Sequence, residues 1–129
     1  MGLGRPEFHV LVVDDDDNIR LLIADVLTEA GCRVFRASSG VEAVHVLEAE
    51  RVDLLITDYD MPGMNGLEVV WWCRMHLPQV ATVLMTGHGP ETVAQDGRDF
   101  DGLRIILKPF SVERLLIVAK ELRGAALTS

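Results

Sequence analysis

Three aspartates, a threonine and a lysine stand where short apolar runs of this chain give out. Phe8 to Val13 (FHVLVV) is followed at once by Asp14 and Asp15, and Val52 to Thr57 (VDLLIT) by Asp58. Val80 to Met85 is followed by Thr86 and Gly87, and Leu103 to Leu107 (LRIIL) by Lys108 and Pro109. Brought to one crevice, the carboxylates repel one another. Two unit charges about 4 Å apart cost ~1 kcal/mol in water and ~4 kcal/mol at an effective dielectric of 20. Such a cluster costs stability unless a cation sits in it, and Lys108 alone leaves negative charge in excess. Hard oxygen ligands at a small site suit Mg²⁺, which keeps waters and takes one or two carboxylates together with a phosphate oxygen. The chemistry implied is metal-assisted phosphoryl transfer with one carboxylate as the nucleophile.

These side chains converge only if the runs are neighbouring strands. The run at Phe8 to Val13 is almost wholly apolar and β-branched, as a strand buried on both faces must be. Asp16 or Asp17 then caps a helix with Ile19, Leu22, Ile23, Val26 and Leu27 at 3.6-residue spacing, closed by Gly31 in the left-handed region. Arg33 to Ala37 (RVFRA) alternates, which predicts a sheet edge. Ser38, Ser39 and Gly40 open a second helix with Ala43, Val44 and Leu47 inward. A third helix spans Leu67 to His76 before Pro78. Ser111 caps a last one to about Arg123, with Val112, Leu115, Val118, Ala119 and Leu122 inward. Strand and helix alternate five times, which predicts a parallel sheet covered on both faces, with the ligand site beyond the carboxyl ends of the strands.

The chain has 129 residues, 20 of them acidic and 12 basic, for a net charge of -8. It fits one domain over 1–129, with an ordered core of about 7–123. No Lys/Arg cluster is present to hold a phosphate backbone, so no direct nucleic-acid binding and no anionic membrane surface is expected. No apolar run approaches the roughly 20 residues that span a bilayer, and Met1 to Glu7 has no apolar core of a signal peptide. A cytoplasmic location is expected. Cys32 and Cys73 lack metal spacing and read as reduced core thiols.

VLVVDDD at Val10 to Asp16, DLLITDYDMPGMNG at Asp53 to Gly66, LMTGHG at Leu84 to Gly89 and LKPF at Leu107 to Phe110, in this order and spacing, resemble the bacterial two-component response-regulator receiver domain. The resemblance implies a flavodoxin-like (βα)5 three-layer sandwich with a parallel five-stranded sheet of order 2-1-3-4-5. It implies that Asp58 accepts a phosphoryl group from the phosphohistidine of a sensor histidine kinase or phosphotransfer protein. Asp14 and Asp15 would hold Mg²⁺ with Asp58 and the backbone carbonyl of Asp60. Thr86 and Lys108 would contact the phosphoryl oxygens, the Lys108–Pro109 peptide would be cis, and the change would control a downstream protein partner.

Two departures from the resemblance stand out. Ile105 occupies a position where many such domains carry Tyr or Phe; receivers that act alone or are fused to hybrid kinases often lack this aromatic, and this chain resembles them. The segment Glu91 to Gly102 (ETVAQDGRDFDG) has few apolar residues, Gly97 within it, and acids toward its end, so its helix should be short and weak. His9, His45 and His76 read as structural or exposed. His88 follows Thr86 closely enough to affect water at the phosphoryl group. Val70 and Cys73 fit an inward stripe, which turns Trp72 away from the core, as a half-buried aromatic lying flat on the surface or as a partner contact. The competing reading is a haloacid-dehalogenase-type phosphatase using Asp14 and Asp16, but no Thr or Val is placed to complete its motif. A flavin-binding reading fails because four aspartates after the first strand would repel a phosphate.

Overall fold

The structure, a computed structural model, describes residues 7–128. Five strands, β1 (His9–Val13), β2 (Arg33–Ala37), β3 (Leu54–Asp58), β4 (Ala81–Thr86) and β5 (Arg104–Leu107), alternate with α1 (Asp17–Glu29), α2 (Gly40–Ala49), α3 (Gly66–His76), α4 (Glu91–Asp96) and α5 (Val112–Thr128). All strand pairs are parallel, in the order β2-β1-β3-β4-β5. This is the flavodoxin-like order read from the motifs, with RVFRA at one edge.

The alternation of each strand divides the interior in two. Leu11, Val13, Leu55 and Leu84 face Ala43 and Leu47 of α2 and Leu67, Val70 and Cys73 of α3. Val10, Val12, Leu54, Ile56, Val83 and Met85 face Ile23 and Leu27 of α1 and Leu115 and Val118 of α5. The strand residues are almost fully buried, and each buried Leu, Ile or Val contributes roughly 1.5–3 kcal/mol of transfer free energy. These two layers hold the sheet rigid and project the strand ends to one edge.

Local chemistry sets the boundaries. Asp16 caps α1 by accepting from the amides of Asn18 (2.9 Å) and Ile19 (3.1 Å), and Gly31 follows with φ +94°. Ser39 caps α2 and Ser111 accepts from Arg114 at the start of α5. Asn65 and Glu68 form a reciprocal capping box on α3.

Several expectations are corrected. Leu22 does not join the inward stripe of α1; it is 53% exposed. Gly97 closes α4 at φ +85° and does not lie inside it, so the helix has six residues, no side-chain cap and no buried residue. The last helix does not stop near Arg123 but runs on to Thr128, because Ala125, Ala126 and Leu127 are strong helix formers that outweigh Gly124. Trp72 is the half-buried aromatic expected, but it packs against the core instead of pointing away from it and stacks on His76 at 4.3 Å. The expected loose start, Met1 to Pro6, lies outside the described residues. Among the described residues, no helix is long and apolar enough to cross a membrane.

Candidate functional site

The parallel register delivers the strand ends together. Asp14 follows β1, Asp58 ends β3 opposite Met85, Thr86 ends β4, and Lys108 follows β5, its amide donating to the Thr86 carbonyl at 2.8 Å. Asp58 is 3% exposed, and its Oδ1 accepts from Lys108 Nζ at 2.7 Å. The same Nζ lies 3.9 Å from Asp14 Oδ2. Asp14 is 1% exposed; its Oδ1 accepts from the Asp16 amide at 2.9 Å, but its Oδ2 has no hydrogen-bond partner. Asp15 is exposed, and Asp14, Asp15 and Asp58 each offer an oxygen within 4.8 Å of the others.

The charges at this edge are unevenly balanced. Burial pushes the Asp14 carboxyl above its ordinary value; the Asp16 amide opposes that, and the Asp58 charge adds to it. Burial likewise pushes Asp58 up, against the hydrogen bond and charge of Lys108. Burial pulls Lys108 down, but its hydrogen bond to Asp58 and the charges of Asp58, Asp14 and Asp60 together hold it above its ordinary value. One ammonium thus serves three carboxylates. A buried carboxylate oxygen with no donor costs free energy, and a hard divalent cation meeting Asp14 Oδ2 with oxygens of Asp15 and Asp58 would remove that cost. The donor set therefore fits Mg²⁺.

The rim of the cleft is built from neighbours of these residues. Thr86 is 1% exposed, and its Oγ1 accepts from the His88 amide at 3.0 Å. The Asp60 carboxylate turns outward and meets His88 Nε2 at 3.6 Å, and the Tyr59 and His88 rings meet edge to face at 5.9 Å. His88 therefore stands at the mouth, as its place after Thr86 suggested. Asp16 and Asp17 of the acidic run are used elsewhere: Asp16 caps α1, and Asp17 pairs with Arg20 at 2.6 Å.

Two positioning residues escaped the sequence reading. A Cβ on Gly66 would collide with the carbonyl of Asp58, and one on Gly40 with the backbone of Met64. Gly66 lets the first turn of α3 pass directly against the backbone of Asp58, and its own amide donates to the Tyr59 carbonyl at 3.1 Å. The signal was present in the NG pair, which reads only as a turn without the tertiary contact. The Lys108–Pro109 peptide is cis, as the resemblance implied.

Comparison with known proteins agrees with this fold. The response regulator receiver domain family matches residues 10–120. Sporulation initiation phosphotransferase F of Bacillus subtilis is 29% identical over 112 residues, which covers 87% of this chain and 90% of that protein. Among solved structures, the chemotaxis response regulator CheY4 of Vibrio cholerae superposes with a TM-score of 0.82 at 30% identity, over 91% of this chain and 99% of that one. The response regulator TrrA of Thermotoga maritima, solved with Mg²⁺-BeF, superposes with a TM-score of 0.77 at 31% identity, over 89% and 98%.

Proposed function

This chain belongs to the response regulator receiver domain family, and from that premise we propose that Asp58 is its phosphoryl acceptor. The chain is a phosphoryl-accepting signalling domain of two-component systems and not a conventional enzyme; the phosphatase alternative finds no support. The observation that carries the assignment is Asp58 itself: buried at the carboxyl edge, held at Oδ1 by Lys108 at 2.7 Å, and beside the unsatisfied oxygen of Asp14.

Asp14, Asp15, Asp58 and the Asp60 carbonyl would hold Mg²⁺, which supplies charge neutralisation on the phosphoryl oxygens. The likeness to a protein solved with Mg²⁺-BeF supports the same reading. Lys108 fixes one oxygen of Asp58 and leaves the other to attack. An oxygen–phosphorus bond forms, the nitrogen–phosphorus bond of the donor phosphohistidine breaks, and the imidazole of the donor departs. Thr86 offers its hydroxyl proton to the transferred group, since its oxygen already accepts from His88. Water attack at phosphorus later returns the Asp58 carboxylate and releases inorganic phosphate.

The donor is a sensor histidine kinase or a phosphotransfer protein acting in the cytoplasm. Beside Lys108 an apolar hollow of Ile19, Leu22, Pro109, Phe110 and Val112 opens to solvent and offers the donor a surface at this edge. The phosphorylated domain, one receiver unit over 1–129, then controls a downstream protein and not a nucleic acid. Incubation with acetyl phosphate and Mg²⁺ tests the assignment. One hydroxylamine-labile phosphate per chain is expected, lost in Asp58→Asn; undiminished labelling of that variant refutes it.

A further inference from the structure

We infer that the hollow between α1 and α5, at the amino ends of β1 and β2, binds a small amphipathic anion: an apolar body carrying one carboxylate. This inference is independent of the phosphorelay reading, because the hollow lies at the sheet edge opposite the aspartates. It begins with Arg123. The half-buried cations Arg20, Arg98, Arg104 and Lys108 each meet a carboxylate, and Arg74 donates to the Asp101 carbonyl. Arg123, also half-buried, meets the ring of Phe8 at 5.8 Å and the thiol of Cys32. Among the described residues no carboxylate pairs with it, in a chain of net charge -8.

Arg123 borders a cavity of about 360 Å³ whose floor is Leu27, Leu116 and Ala119, with Ala30 on its rim, and Lys120 stands on the same rim, where among the described residues no acidic group pairs with it. Water occupies roughly 30 Å³ in the liquid, so about a dozen waters would fill this space. Those over the apolar floor have few groups to bond, and their release favours an apolar body. The guanidinium is a planar fork suited to a carboxylate, and its place against Phe8 limits the entropy lost on binding. An apolar floor under two cations that meet no carboxylate among the described residues is complementary to an amphipathic anion, and to neither a neutral alcohol nor a bare anion.

Octanoate serves as the probe, with 1-octanol as the uncharged control and acetate as the tail-less one. Titrated into ¹⁵N-labelled full-length protein, octanoate should give saturable shifts clustered on Leu27, Ala30, Cys32, Leu116 and Ala119. Arg123→Gln should weaken octanoate about five- to tenfold, the scale of one partly exposed charge-assisted hydrogen bond, and leave octanol unchanged. Ala30→Leu, at an exposed position on the rim, should fill the hollow and abolish the shifts while the rest of the spectrum stays in place. Scattered or non-saturating shifts overturn the inference. So does equal binding of octanoate and octanol, equal binding of acetate, or an unchanged affinity in both variants.

Discussion

Replacing Asp14 by Asn should stabilise the metal-free protein, although it alters a buried, hydrogen-bonded residue. The Coulomb terms can be set out from the distances. Asp58, within 4.8 Å, repels Asp14 by about 3.5 kcal/mol at an effective dielectric of 20, and exposed Asp15 adds about 0.9 kcal/mol at the dielectric of water. Lys108, at 3.9 Å, returns about 4.3 kcal/mol at a dielectric of 20. These nearly cancel, so the desolvation of a carboxylate with one orphaned oxygen decides the sign. Asn keeps an oxygen for the Asp16 amide and sheds the charge, and a gain of about 1–3 kcal/mol follows. Urea melts at pH 7 without metal should show a higher midpoint at unchanged slope. Because burial holds Asp14 and Asp58 above the ordinary 3.8, their contribution is most favourable below that pH and is lost as pH rises through the folded values. The advantage of the variant should therefore shrink on acidification and vanish below about pH 3.8. Mg²⁺ at a hundredfold excess over its Kd should add about 2.7 kcal/mol to the wild type and clearly less to the variant. A variant that melts earlier than wild type at pH 7, or responds equally to Mg²⁺, refutes the reasoning.

Three other outcomes are expected. Gly66→Ala drives a methyl into the Asp58 carbonyl and should cost about 1–3 kcal/mol while slowing acetyl-phosphate labelling; wild-type stability and rate together would show that α3 shifts freely. Arg98→Ala removes the pair with Asp96 and the guanidinium over Trp71 and Phe100, at about 1 kcal/mol. Arg98 holds Asp96 below 3.8, a contribution present above that pH and lost as pH falls through the folded value, so the variant should lose less stability than wild type between pH 5 and 3, read by Trp fluorescence. Burial pushes the Cys73 thiol up to about 12, so iodoacetamide at pH 8 should leave it unmodified in the native protein and alkylate it in urea; equal rates would mean that the core under α3 opens.

The residues at the strand ends were legible because each one interrupts an apolar run, and the parallel register then brings them together without further instruction. The motif order also carried the sheet order. Other features depend on what lies across the chain. Nothing in the α1 stripe distinguishes Leu22 from Ile23; only the seating of α1 against α5 leaves one exposed and buries the other. Gly97 reads equally as a helix interruption or a helix end until its positive φ is seen. The orphaned oxygen of Asp14 follows from which of four consecutive aspartates turns inward, and the Asp16 amide decides that through a hydrogen bond. The pairing of Asp60 with His88 joins two loops 28 positions apart, a closeness that only the adjacency of β3 and β4 creates.

The asymmetry of α4 has a consequence for how news of Asp58 leaves the domain. On its far side the exit is moored: Arg98 lies against Trp71 and Phe100, and Arg74 reaches the Asp101 carbonyl at 2.6 Å. On its near side it follows directly from Thr86 and His88, and no residue of the helix is fully buried. It is a short lever whose half-buried Val93 packs against the core, so turning it displaces a partly buried side chain and no fully buried one. For an element with two positions, a bias of about 1.4 kcal/mol changes their ratio tenfold. A few hydrogen bonds made or lost at Thr86 supply that much. A shift of α4 on this scale leaves the fully buried residues of both core halves in place.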